Sequence, residues 1–260
     1  MLRVALLGWS LAGLCTGWTA TAPQMHASRM PASLSPLRLS ADAPASEERL
    51  TAIVTGGSGG IGLAVCHRLA ARGSNVVIAY GHNDAKATAA CEQLRATHGI
   101  QAVAVKGDLT IESARTATVD ALFEAVDEVG ANVSAFVHAA GYFDDELLSH
   151  HLDGGMSDFE VYDAYQSIYP KAFVAIAERA LTRMGAGGRM VAITNPGCNS
   201  AQTPRIGYDM PGQGKATMEF AVRMYAARVA KRGICVNAVS PGYTDTGAHT
   251  CARGHDREWS

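Results

Sequence analysis

Cysteine is scarce in this chain, and its spacing forms no pattern. The six are Cys15, Cys66, Cys91, Cys198, Cys235 and Cys251, and no two form a C-x-x-C. That excludes a dense disulfide scaffold and a close-spaced metal site, so no metal is expected. His150 and His151 are adjacent but lack a ligand-type partner one helical turn away, and read as a polar loop pair. An excess of either charge is also lacking: 22 Lys and Arg face 24 Asp and Glu, for a net charge of −2. There is no electrostatic footprint for nucleic acid. No internal repeat and no second domain is evident, and 260 residues at 48% hydrophobic composition suit one soluble domain.

Acidic residues are missing altogether from the start of the chain, where none occurs before Asp42. After Arg3 comes an apolar run of about 15 residues, short for a membrane span and suited to a signal-peptide core. The following stretch is rich in Ser, Ala and Pro and kept basic by Arg29 and Arg38, as in an organelle transit peptide. Residues 1–48 are therefore expected to be a targeting leader, a signal peptide plus a transit-like segment. Its two parts are similar to the leaders that carry proteins into complex plastids; secretion or retention in the endoplasmic reticulum is the alternative. No membrane domain is expected once the leader is removed.

From Leu50 the chain alternates. The short apolar runs "LTAIVT", "NVVIAY", "QAVAVKGD", "VSAFVHAAG", "GRMVAITN" and "ICVNAVSPG" read as strands. Between them lie helical patterns, several closed by glycine (Gly73, Gly99, Gly130), with Asn83 or Asp84 able to cap the second. A long helix is expected over 159–184, kinked at Pro170. Strands apolar throughout, alternating with helices, imply a parallel sheet covered on both faces. The expected fold is α/β, a Rossmann-like doubly wound single domain over 49–246, with ligands at the carboxyl ends of the strands.

The loop "TGGSGGIG" follows the first strand and opens the first helix. Glycines at 56, 60 and 62 suit a tight turn, close approach of backbone to a pyrophosphate, and close helix-to-strand packing. The helix N-terminus then faces the phosphate charge. Further pieces follow in order: "GDL" after the third strand, "HAAG" after the fourth, Lys215 near the start of the fifth helix, and "SPGYTDT" after the sixth strand.

Together these residues resemble the short-chain dehydrogenase/reductase family, single-domain enzymes that use NAD or NADP. The resemblance runs from about Leu50 to Thr246. It implies that Thr55, Gly56, Ser58, Gly60, Ile61 and Gly62 form the cofactor loop. Asp108 and Leu109 would meet the adenine, and Lys215 the ribose hydroxyls. Ala139, Ala140 and Gly141 match three positions of an "NNAG" signature, and His138 replaces an asparagine there, which is expected to loosen that turn. Pro241, Gly242 and Thr246 would lie against the nicotinamide. At the end of the second strand stand Tyr80, Gly81 and His82, with no immediate acid to hold a ribose 2′-hydroxyl and no arginine. NADP is therefore the expected cofactor, with NAD the alternative.

The commonest family pattern sets its tyrosine four residues before the lysine, where this chain has Pro211. Tyr208 stands seven before Lys215, a spacing similar to that of enoyl-acyl-carrier-protein reductases, a branch of the same family. Pro211 is comfortable near a helix start, so the helix is expected to begin there. The family's serine is missing, and Thr194 or Asn195 would replace it as hydrogen-bond donor to substrate. Cys198 reads as an inert loop thiol, and Tyr169 falls closest to the family's helix asparagine. Catalysis is thus expected from Tyr208, Lys215, Thr194 and Asn195. Residues 247–260 read as an irregular tail without an apolar run for the family's seventh strand, as in a truncated product. The sixth strand would then be an open edge, with homo-oligomer formation possible. The expected activity is reduction of a small-molecule carbonyl, 3-oxoacyl compounds included. The alternatives are an enoyl thioester and a nucleotide-binding protein without turnover.

Overall fold

The structure is a computed structural model, and it describes residues 50–141, 159–199, 203, 209–242 and 244–246. All of them belong to one compact unit, Ser46–Ser260. Among them no helix is long and apolar enough to cross a membrane. His150, His151 and residues 1–48 lie outside the described residues.

Among the described residues there are six strands and six α-helices, in βα alternation. They are β1 (Thr51–Thr55), α1 (Gly60–Ala70), β2 (Asn75–Tyr80), α2 (Asp84–His98), β3 (Ala102–Lys106), α3 (Glu112–Val129) and β4 (Val133–His138). There follow α4 (Phe159–Gln166), a π-turn (Ser167–Lys171), α5 (Ala172–Leu181), β5 (Arg189–Ile193), α6 (Asp209–Val229) and β6 (Cys235–Val239). The strands form one parallel sheet in the order β3-β2-β1-β4-β5-β6. That is the doubly wound order expected from the alternation, with its switch point between β1 and β4.

Local chemistry sets the ends of the helices. Asn83 caps α2 by accepting the Lys86 amide at 2.9 Å, and Gly99 ends that helix in the left-handed region, φ 60°. Two apolar layers flank the sheet. One joins Val54, Val76 and Ile78 to Cys66, Ala70 and Leu94 of α1 and α2. The other joins Ile53, Val77 and Phe136 to Leu122, Phe123, Phe173 and Val222 of α3, α5 and α6. Alternate residues of the same strands feed opposite layers, as the two-residue period of a strand requires.

One boundary differs from expectation. Helix α6 begins at Asp209 rather than at Pro211, so the proline occupies the first turn, where its missing N–H costs nothing. Pro170 marks an irregularity in the long helix, as expected, and its form is a π-turn. It lies in the five-residue π-turn, buried with Ser167, Ile168 and Tyr169, and the chain passes from α4 through it into α5. A wider turn already interrupts the regular hydrogen-bond ladder, which lets a residue without an N–H sit there.

Candidate functional site

Thr55, His138, Thr194 and Lys215 gather at the carboxyl ends of β1, β4 and β5, beside the N-terminal half of α6. The loop between β1 and α1 is shaped by backbone contact. Gly56 has φ +67°, and a Cβ there would come within 2.7 Å of the Ala139 carbonyl oxygen. A Cβ on Gly62 would lie 2.1 Å from the Gly56 carbonyl oxygen, closer than any side chain tolerates. The loop thus folds onto the first turn of α1 on one side and onto the β4 end on the other. Thr246 closes the far side, 3.2 Å from where a Gly60 Cβ would stand. Ser58 and Ile61 lie within this loop and the start of α1. The result is a tight, side-chain-free turn at a helix N-terminus, whose backbone and polarity suit a pyrophosphate. Gly56 and Gly62 are what let it pack so closely.

Thr55 and His138 tie the two strand ends together. The Thr55 hydroxyl accepts from the Ala140 N–H at 3.1 Å. Thr55 Oγ1 lies 2.9 Å from His138 Nδ1, and His138 Nε2 lies 2.8 Å from the Ile168 carbonyl oxygen. A carbonyl only accepts, so Nε2 carries the proton and Nδ1 accepts from the threonine hydroxyl. The ring is fully buried, and desolvation pushes its pKa down from 6.5 to about 4. His138 was expected to loosen this turn. It does the opposite: both ring nitrogens are bonded, and one of them reaches the π-turn across the core.

That π-turn presents Tyr169 to Lys215. The Lys215 Nζ stands 5.1 Å from the centre of the Tyr169 ring, within cation–π range. Gly214 sets this depth. A Cβ there would meet the Tyr165 carbonyl oxygen of α4 at 2.9 Å and the Tyr169 ring at 3.0 Å, so α6 approaches the α4 backbone and the π-turn tyrosine as closely as it does because residue 214 has no side chain. Burial pushes the Lys215 ammonium below the usual lysine range. Its charge is felt by His138 and by Cys198, which places it between the ends of β4 and β5.

At the end of β5, Thr194 is 1% exposed, and its Oγ1 finds no hydrogen-bond partner among the described residues. A buried hydroxyl without a partner is uncommon and available to a bound molecule. Asn195 is turned inward on its own loop: its Nδ2 donates to the Pro196 carbonyl at 2.9 Å, and its Oδ1 accepts from Cys198 Sγ at 3.0 Å. Burial pushes the Cys198 thiol up, which keeps it protonated and unreactive. Tyr208 lies outside the described residues, immediately before α6.

The remaining candidates line the edges. Asp108 is exposed and accepts from the Thr110 amide and hydroxyl at 2.7 and 2.6 Å, which fixes its orientation after β3. Leu109 is buried beside it, and its carbonyl accepts from Ser167 Oγ at 2.9 Å. Gly141 faces the Tyr169 hydroxyl, 3.8 Å from where its Cβ would be. Pro241 is half-buried and Gly242 exposed, beyond the end of β6. One residue near the cradle escaped sequence reasoning. Lys86, from the first turn of α2, lays its ammonium over Gly59, and no offset from the end of β2 signals that reach.

Comparison with known proteins points one way. A family model described as enoyl-(acyl carrier protein) reductase matches residues 56–259. A 1-cyclohexenylcarbonyl-CoA reductase of Streptomyces collinus is 33% identical over 205 residues, which are 77% of this chain and 67% of that protein. An enoyl-(acyl-carrier-protein) reductase (NADH) of Rhizobium meliloti is 36% identical over 128 residues; these are 48% of this chain and only 44% of the relative. Among solved structures, a short-chain dehydrogenase of Burkholderia cenocepacia in complex with NADP shares 30% identity. It superposes with a TM-score of 0.65, over 80% of this chain and 82% of the other.

Proposed function

This chain belongs to the short-chain dehydrogenase/reductase family, and from that premise we propose that it is an NADP-linked reductase of a small carbonyl compound. The observation that carries the reading is the cradle after β1. The glycines make a tight turn free of side chains at the N-terminus of α1, and side chains at Gly56 or Gly62 would collide with backbone. When bound, the nicotinamide supplies hydride to the substrate carbon. The NADP of the Burkholderia structure and the lack of an acid directly after β2 support NADP over NAD.

The chain's own groups then have distinct tasks. Thr194 offers its hydroxyl to the carbonyl oxygen, where negative charge gathers as hydride arrives. Tyr208 is the proposed proton donor, on the strength of its place seven residues before Lys215. Lys215 is the proposed cation beside that tyrosine, since an ammonium nearby stabilises the charge left when a phenol gives up its proton. Its own lowered pKa makes it a readier proton donor than a lysine in water. Asn195 is occupied by its loop bonds and serves to hold Cys198 and the strand end.

Titration of the full chain with NADPH and NADH tests the cofactor, and oxidation of the bound nucleotide by 3-oxoacyl thioesters and simple ketones tests the reaction. Loss of turnover in Tyr208→Phe with nucleotide binding kept is the expected result; unchanged turnover overturns the assignment. A second reading, reduction of an enoyl thioester, is favoured by the Tyr208-to-Lys215 spacing and by the description of the matching family model. Enoyl substrates in the same assay separate the two. Nucleotide binding without turnover on either class would favour a sensor or partner subunit. Delivery to a plastid through the secretory route is part of the proposal, supported by the lack of acidic residues before Asp42 and tested by a fluorescent fusion of residues 1–48. Self-association is supported by the exposed β6 edge and tested by sedimentation.

A further inference from the structure

The turn between β2 and α2 holds a cation that the family resemblance does not assign. Lys86 projects from the first turn of α2 back across to the glycine loop. Its Nζ would be 2.6 Å from a Cβ on Gly59, and its Cε 3.0 Å, so the side chain lies directly over the N-cap of α1. The reach is anchored at its base, because the Lys86 amide is held by the Asn83 carboxamide. The side chain is exposed, and among the described residues no carboxylate pairs with it.

The charges around it leave this ammonium dominant. Asp84 is the acid nearest to the strand end, and it is engaged elsewhere: Lys106 stands 2.9 Å from it, and the Tyr80 hydroxyl also donates to it. Both partners hold its carboxyl below the usual range, so it is fully ionised and largely neutralised by them. Gly81 has nothing within 4 Å of where its Cβ would be, which leaves open space beside the turn.

The topology says what would enter that space. With a pyrophosphate over the glycine loop and the reacting group toward Lys215 and Thr194, the nucleoside half must run the other way, across the end of β2 toward Asp108. Its ribose then spans the gap between the loop and residues 80–83, the gap that Lys86 bridges. A 2′-hydroxyl there would ask for an acid, and a 2′-phosphate for a cation. The acid of this turn, Asp84, is held by Lys106, and the group that faces the glycine loop is the Lys86 ammonium.

We propose that Lys86 is the residue by which this chain selects NADP over NAD, binding the phosphate on the adenosine 2′-oxygen while its stem covers Gly59. The proposal rests on the reading of the glycine loop as a dinucleotide cradle. An ammonium binds phosphate as a point charge, so arginine should replace it and an apolar chain of similar length should not.

The test is calorimetric titration of the full chain, of Lys86→Met and of Lys86→Arg, with NADPH, NADH, 2′,5′-ADP and 5′-AMP. Binding of the phosphorylated pair should weaken by about tenfold or more in Lys86→Met, with NADH and 5′-AMP changed less than about twofold. Lys86→Arg should keep the preference. Equal weakening of all four ligands would make Lys86 a structural strut of the loop, and no change would make it a bystander; either overturns the proposal. Equal binding of NADPH and NADH by the unaltered chain also overturns it. Failure of the unaltered chain to bind any of the four overturns the cradle reading itself, a result distinct from the others.

Discussion

Strands β1 and β6 have almost the same local pattern, "TAIVT" and "CVNAV", yet all five residues of β1 are buried and four of the five in β6 are exposed. Both pair in parallel, in register, within one sheet. The difference is cover. Strand β1 has β2 and β4 beside it, with α1 on one face and α3 on the other, whereas among the described elements β6 touches β5 and α6. An apolar run makes a strand possible, but its neighbours decide whether burial stabilises it. The centre and the margin of the sheet therefore do different work. The central β1–β4 pair is enclosed and carries the glycine turn, and β6 is an exposed margin among the described elements.

The sharpest break in this comparison comes from paired truncations. Phe136→Ala in β4, at 0% exposure, should cost about 3–5 kcal/mol in chemical unfolding. Val239→Ala in β6, at 47% exposure, should cost less than about 0.5 kcal/mol. Similar costs for the two would mean that β6 is covered in solution.

Acid should weaken the centre of the sheet next. The folded state holds His138 neutral, with a pKa of about 4 against an ordinary 6.5. As pH falls through 6.5 the unfolded chain takes up a proton that the folded chain refuses. This contribution is therefore complete above pH 6.5, declines on acidification and levels off near pH 4, for a total of about 3 kcal/mol. His138→Gln should flatten that part of a stability-against-pH curve; an unchanged slope would remove the histidine from the account.

A smaller structural effect with a larger functional one is expected from Gly62→Ala. Its methyl group would press on the Gly56 carbonyl, at a cost of about 1–3 kcal/mol as the loop shifts. Nucleotide affinity should fall by about 100-fold or more, since the backbone that faces the pyrophosphate is displaced. Retained affinity at wild-type strength would place the nucleotide elsewhere.

The mildest test leaves the fold untouched. Cys235, exposed on β6, should react with iodoacetamide in the native protein, while Cys66 should stay protected until unfolding. Burial pushes the Cys66 thiol up to about 12, so almost no thiolate is present at pH 8. Peptide mapping distinguishes these sites from Cys15 and Cys251.

The alternation of strands and helices was legible because period and punctuation are local. Asn83, Gly99 and Gly130 mark helix ends through their own backbone and side-chain chemistry. What stayed hidden depends on partners distant in sequence. His138 looked like a defect beside Ala139, because its acceptor at Ile168 lies 30 residues away. Lys86 was invisible as a neighbour of Gly59, since an exposed lysine in a helix has no pattern of its own. The start of α6 moved from Pro211 to Asp209 because a proline is compatible with any position in a first turn. Glycine spacing named the candidate cradle, but only the fold shows that Gly62 is obligatory for steric reasons while Gly81 has room to spare.

The π-turn at Ser167–Lys171 amounts to a one-letter edit written into a helix. An α-helix advances about 100° per residue, so one additional residue in a single turn rotates everything after it by that angle relative to everything before it. The segment before the turn lies against α6, and the segment after it lies against α3 and β4 as well. One continuous rod thereby addresses two audiences. Tyr165 and Tyr169, stacked with planes 9° apart, stand where the address changes. Deleting Pro170 would restore an unbroken spiral and redirect the whole of α5, so the most consequential mutation in this region is a missing letter rather than a changed one.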